Sequence, residues 1–147
     1  MIHFINVTKQ YGPVTALSNV NITINRGDFA FLVGPSGAGK STFIKLILKE
    51  IQPTSGKIIV DDVDITNLSQ RKIPYFRRKL GVIFQDFRLL PNKTVYENVA
   101  FAMETVSASP KEIRRQVPMI LGMVGLSGRA KMYPHQLSGG EQQRVSI

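Results

Sequence analysis

The sequence predicts an α/β fold with a mainly parallel sheet core, an antiparallel β subdomain and a helical subdomain. Three observations carry this. Residues 29–33 form a continuous apolar run, as in a strand covered on both faces, and lead through a glycine-rich loop into residues of helical periodicity. Ile22, Thr23 and Ile24 alternate with the period of a half-buried ribbon. Beyond about residue 90, paired Ser/Thr and Glu residues at capping-box spacing open successive helices.

In chain order, residues 2–7 and 20–24 read as short strands, and residues 29–33 as a buried one. Ile44, Ile47, Leu48 and Ile51 recur at helical spacing, so a helix is expected to end near Ile51, before the turn signal Pro53-Thr54-Ser55-Gly56. Residues 57–60 resume as a strand. Residues 71–79 are basic and helical provided that Pro74 lies in the first turn, and residues 81–84 read as another buried strand running into Gln85. Thr94 and Glu97 open a helix to about Met103. Ser109 and Glu112 open a second, with Pro110 at its first position and Ile113, Val117, Ile120, Leu121 and Val124 on one face. Pro118 is expected to interrupt and kink that helix. Ser138 and Glu141 open a third.

Composition narrows the function classes. The chain has 147 residues, 43% of them hydrophobic, enough for a real core. It has no cysteine, which excludes disulfides and thiolate metal sites. The start lacks a basic segment followed by an apolar one, and no run approaches the roughly 20 apolar residues that span a bilayer. A soluble, cytoplasmic protein is expected. The net charge is +9, from 19 basic and 10 acidic residues. Apart from 71–79 the basic residues are scattered, with no interleaved aromatic platform. The charge therefore suits solvated faces, a phosphate ligand and docking near a membrane, and no nucleic-acid partner is expected.

The segment Gly34-Pro35-Ser36-Gly37-Ala38-Gly39-Lys40-Ser41 fits the pattern G-x-x-x-x-G-K-[ST]. A polyphosphate needs several backbone N–H donors at close range. Glycine lets the main chain approach and adopt positive φ, and the following helix adds partial positive charge. Lys40 is expected to reach the β- and γ-phosphates, the Ser41 hydroxyl to ligate Mg²⁺, and Thr42 to add a hydroxyl near the α- and β-phosphates.

A second motif, Leu137-Ser138-Gly139-Gly140-Glu141-Gln142-Gln143-Arg144, is at once a capped helix start and an anion site. With the glycine loop before it, it resembles the signature motif of the ABC ATPases, the P-loop NTPases that clamp ATP between two subunits. The resemblance implies ATP and Mg²⁺ as cofactors and a homodimer formed on ATP binding. In that dimer Ser138, Gly139 and Gly140 contact the γ-phosphate held by the other copy's loop. It implies that Tyr11 stacks on adenine and that Gln85 ligates Mg²⁺ near the γ-phosphate. From the residues alone, Tyr11 reads as a loop or edge residue and Gln85 as a polar residue ending a strand, so the resemblance carries both roles. His135 reads as a loop residue. On this resemblance the nucleotide-binding part covers about 1–90 and the helical subdomain about 91–147.

Within the ABC group, three segments resemble the FtsE family of bacterial cell-division ATPases. They are Phe84-Gln85-Asp86-Phe87-Arg88-Leu89-Leu90-Pro91, Lys93-Thr94-Val95-Tyr96-Glu97-Asn98-Val99 and Tyr133-Pro134-His135-Gln136. That family implies an integral membrane partner of the FtsX type and a peripheral place on the cytoplasmic face of the cell membrane. Exporter and lipoprotein-release ATPases share much of these segments and stay open as the alternative. DNA-repair and chromosome-structuring ABC proteins insert a long coiled coil between the two motifs. Here only 97 positions separate Lys40 from Leu137, without a heptad repeat. Family members also carry an apolar strand ending in Asp-Glu after the signature helix. Asp61-Asp62 imitates it in the wrong order and is expected to be a turn. The chain is therefore expected to be C-terminally incomplete and poorly active as an ATP hydrolase.

Overall fold

A computed structural model describes residues 1–147. The chain forms two compact units, Met1–Leu80 and Gly81–Ile147.

The first unit is built on one antiparallel sheet of order β2-β1-β3-β4, with β1 Ile2–Tyr11, β2 Val14–Ile24, β3 Ser55–Val60 and β4 Val63–Asp64. The first two strands are longer than their apolar cores because they form one hairpin around Gly12 and Pro13. Phe4 and Val7, three residues apart, would point to opposite faces of a regular strand. A register shift between them, with Asn6 at φ 50°, turns both into the core. Gly56 packs against that bulge, so β3 begins two residues before the expected start and takes in part of the expected turn. Asp61 and Asp62 form the two-residue turn between β3 and β4, with φ 44° and 65°.

Helix α1 (Lys40–Ile47) lies on the sheet through Phe43 and Leu46, and the Phe43 ring stacks on Phe4 with centroids 4.3 Å apart. Ile44, expected on the buried face, is 45% exposed. The helix stops before Ile51 because Lys49 turns left-handed at φ 53°. Glu50 N–H then bonds Lys45 O and Lys49 N–H bonds Leu46 O, the paired bonds of a Schellman end. The Lys49 side chain is buried and donates to Gln52 Oε1 and Thr66 O. Desolvation pulls its ammonium below the usual lysine range, against the opposing pull of Asp64. Arg77, on α2 (Ile73–Arg77), donates to Leu48 O at 2.9 Å and Lys49 O at 3.1 Å, satisfying carbonyls at the end of α1. Pro74 sits in the first turn of α2, as its missing N–H requires.

Residues 29–33 and 81–84 form no strand, and the only sheet is antiparallel throughout. The expected parallel ladder at the core is thus not made by these segments. A strand covered on both faces needs hydrogen-bonded neighbours, and here neither run has one. Phe29, Phe31 and Val33 are 85, 78 and 83% exposed, and Ile83 58%.

The second unit packs α3 (Val95–Thr105), α4 (Pro110–Met123) and α5 (Gly139–Ser146) around Val95, Ala100, Val117, Leu121, Leu126 and Leu137. Each helix opens on a complete capping box, from Thr94, Ser109 and Ser138. Helix α4 continues through Pro118, which forfeits one N–H bond while buried Val117 and Leu121 hold its inner face. Asn98 ties the preceding loop to α3, accepting from Leu90 N–H at 2.7 Å and donating to the carbonyls of Leu90, Lys93 and Thr94. No helix is long and apolar enough to cross a membrane.

Candidate functional site

The glycine loop ends where α1 begins. Gly34, Gly37 and Gly39 have φ of 156°, 81° and 86°, backbone conformations that glycine adopts without strain. Gly39 is the N-cap of α1, and the first intrahelical bond runs from Phe43 N–H to Gly39 O at 2.9 Å. The amides of Lys40, Ser41 and Thr42 therefore have no acceptor within the helix. No acidic residue lies in the first turn, so nothing opposes an incoming anion there. The Lys40 ammonium folds back over the loop and donates to Gly34 O and Pro35 O, each at 2.7 Å. It spans the mouth of the cradle where a phosphate would replace the two carbonyls. Pro35, Ser36 and Ala38 form the tip, closed by Ala38 N–H on Pro35 O at 3.2 Å. Donors without acceptors in the helix, a cation folded over the loop and the exposed hydroxyls of Ser36 and Ser41 suit a phosphate chain.

Tyr11 ends β1 and is 45% exposed, with the Lys9 ammonium 5.0 Å from its ring centroid. One face of the ring thus holds a cation–π contact. No cluster of three or more His, Asp or Glu side chains forms a protein-only metal site. A divalent cation would take the Ser41 hydroxyl together with phosphate oxygens.

In the second unit, Gln85 is exposed in the turn after residues 81–84. That turn is closed by Phe87 N–H on Phe84 O at 3.2 Å, with Arg88 stacked 3.7 Å over the Phe84 ring. The signature segment starts α5. Leu137 anchors it in the core, and Ser138 Oγ accepts from Glu141 N–H at 3.3 Å. The Glu141 Oε2 accepts from Ser138 N–H at 2.9 Å and from its hydroxyl at 2.8 Å. Gly139 and Gly140 are exposed, and an added Cβ would meet nothing at the first and only Arg144, at 3.9 Å, at the second. Two glycines in the first turn of a helix cost about 1 kcal/mol each relative to alanine, and the fold of this chain does not require them. His135 lies in an exposed 3₁₀ turn, stacked on Tyr133 at 5.9 Å.

Arg129 was not visible as part of this site in the sequence. Its guanidinium donates to Glu141 Oε1 at 3.0 Å from twelve residues upstream. The Ser138 amide, the Ser138 hydroxyl and Arg129, in that order, hold the Glu141 carboxyl down to about 2. A carboxyl depressed in the folded state contributes stability that is complete above its unfolded range and is lost as pH falls through the folded value. Thermal melts from pH 5 to pH 2 are thus expected to show a parent advantage over Glu141→Gln that shrinks with acidification. A constant difference across that range would contradict the assignment.

Residues 17–147 match the ABC transporter family. The chain is 51% identical over 148 residues to the cell division ATP-binding protein FtsE of Bacillus subtilis, covering 100% of this chain and 65% of that protein. It is 50% identical to FtsE of Escherichia coli K12, of which it covers 67%. The dimeric bacterial ABC transporter cassette MJ0796 superposes with a TM-score of 0.89 at 38% identity, over 100% of this chain and 67% of that one. MJ0796 in a post-hydrolysis state, bound to ADP and Pi, superposes at 0.87 with 37% identity, over 99% and 67%. The chain thus spans about two thirds of the length of the relatives it matches.

Proposed function

Because this chain belongs to the ABC transporter family, we propose that it is the ATP-binding part of a cell-division ABC complex of the FtsE kind. In this reading it couples ATP binding and hydrolysis to an integral membrane partner of the FtsX type, on the cytoplasmic face of the cell membrane. The observation that carries the reading is the loop at residues 34–41, with positive φ at three glycines and the Lys40 ammonium folded back on Gly34 O and Pro35 O. Lys40 neutralises the β- and γ-phosphates, the amides of residues 39–42 bind their oxygens, and the Ser41 hydroxyl shares the Mg²⁺. Tyr11 stacks on adenine by its free face, and Gln85 reads the γ-phosphate. Residues 1–90 act as the nucleotide-binding part and 91–147 as the helical subdomain.

The Ser138-Gly139-Gly140 end of α5 closes over the γ-phosphate of a second copy. The two glycines that the chain's own packing does not need support this, since a phosphate approaches closest where no Cβ stands. ATP hydrolysis follows by family, but no apolar run ending in Asp-Glu occurs in these 147 residues. The chain by itself is expected to release phosphate slowly, because phosphoryl transfer rests on positioning the attacking water. Steady-state turnover above about 1 s⁻¹, within the usual enzyme range, would contradict this.

A Ser138→Arg substitution tests the sandwich. It is expected to leave nucleotide binding by single copies intact and to abolish ATP-dependent dimerisation by steric bulk. Light scattering on the longest available form, with MgATP, reads both states. Dimerisation equal to the parent's would sink the sandwich. Exporter and lipoprotein-release ATPases remain the second reading, since the same site chemistry serves them.

A further inference from the structure

We propose that a stripe formed by Arg71, Lys72, Tyr75, Arg78 and Lys79 seats this chain directly on an anionic lipid surface. The inference goes beyond the reading above, in which an integral partner makes the membrane contact. Residues 65–80 hold Arg71, Lys72, Arg77, Arg78 and Lys79 and no Asp or Glu. Four of these cations and Tyr75 recur at i, i+1, i+4, i+7 and i+8, the spacing of one side of a helix. The backbone keeps helical geometry from the 3₁₀ turn Gln70–Lys72 through α2, and turn bonds from the Arg78, Lys79 and Leu80 N–H groups extend it. All five side chains of the stripe are exposed, Tyr75 by 66%. Ile73 and Phe76 are buried in the core, and Arg77 is taken up by the end of α1. The stripe is therefore held on a fixed element, and its helix has no apolar face left to insert into a bilayer.

Its charges are uncompensated. Arg71, Lys72, Arg78 and Lys79 form no salt bridge, and the Arg78 guanidinium lies 5.1 Å from the Tyr75 ring centroid. Lys79 acts electrostatically on Asp61, but that carboxylate is held by the Met1 amino group at 2.7 Å and by Arg26 at 3.6 Å. Like charges this close repel, and an anionic surface relieves the repulsion. A nucleic acid needs rings on which bases stack, and the one ring of the stripe already carries a guanidinium. A tyrosine among cations suits the headgroup level of a membrane instead.

An anionic leaflet attracts each surface Lys or Arg enough for about fivefold in partition. Arg71→Gln combined with Lys72→Gln is thus expected to weaken vesicle binding about 25-fold. Arg71→Lys combined with Lys72→Arg keeps both charges and is expected to match the parent. Lys111→Gln combined with Arg114→Gln removes the same charge from exposed positions of α4, and is expected to stay within about twofold of the parent.

Co-sedimentation of the longest available form, with no membrane partner present, measures binding to vesicles of phosphatidylcholine with or without roughly one third phosphatidylglycerol. Binding to the anionic vesicles alone, weakened by added salt, is the expected result. Fluorescence anisotropy with a DNA duplex at matched phosphate concentration is the parallel measurement. No binding to anionic vesicles, equal binding to neutral ones, or equal losses in the two glutamine pairs would overturn the proposal. So would tighter binding to the duplex that the Arg71 and Lys72 substitutions abolish. None of these outcomes bears on nucleotide uptake, so this proposal and the ATP reading fail separately.

Discussion

Lys40→Ala removes measurable binding of MgATP while the protein stays folded. In the free chain the ammonium is held by two backbone carbonyls, Gly34 O and Pro35 O, each at 2.7 Å. Both are neutral acceptors, and a triphosphate oxygen puts a full negative charge against the ammonium in their place. The remaining cradle supplies only amide dipoles and one helix end. Truncating one side of a close charge pair costs about 2–5 kcal/mol, so a loss of at least thirtyfold is expected and the usual result is no detectable uptake. Alanine is a good helix residue at the first position of α1, and circular dichroism is expected to match the parent. Binding retained within threefold in the folded variant would show that the loop holds its ligand in another way.

Gly39→Ala is the larger test of the fold around the site. Gly39 sits at φ 86°, where a side chain is strained, and a Cβ there would lie 2.5 Å from Ala16 O and 2.9 Å from Leu17 Cδ2. The first neighbour is backbone of the edge strand β2, which is paired to β1 and cannot swing aside as a side-chain tip does. Left-handed strain and the forced shift each cost about 1–3 kcal/mol, so a loss of about 2–6 kcal/mol in stability is expected. Urea unfolding measures it, and nucleotide binding is expected to fall with it because the loop meets α1 at this residue. Gly37→Ala is the control. It has φ 81° with nothing within reach of a Cβ, so it carries the strain without the clash and is expected to cost less. Equal losses at both positions would remove the close contact with β2 from the account.

What the sequence revealed, and what it hid, follows from the range of each interaction. The capping boxes at Thr94, Ser109 and Ser138 were readable because both partners lie within four residues, and all three form. The turn at Asp61 and Asp62 was readable for the same reason. The end of α1 was not. It is set by Lys49 turning left-handed and by Arg77 reaching back to carbonyls 28 and 29 residues away, and neither leaves a mark in local periodicity. The register of β1 was hidden likewise, since Asn6 resets the alternation that would have marked its buried face. Residues 29–33 and 81–84 mislead in the opposite direction. Their apolar composition asks for strand neighbours on both sides, and composition alone does not supply a ladder. At the site itself, the loop and the serine cap were legible because backbone geometry forces glycine and hydroxyl residues into fixed spacing. Arg129 was not, because a guanidinium can reach its carboxylate from any surface turn.

The central claim is that the main-chain amides and the Lys40 ammonium at residues 34–42 hold a triphosphate. Isothermal calorimetry on folded protein containing residues 1–147, titrated with MgATP and in parallel with Mg²⁺-adenosine, tests it most directly. Saturable uptake of MgATP with none of adenosine is the result expected of a site that grips phosphates. No heat of binding from MgATP, or equal affinity for adenosine, would contradict it.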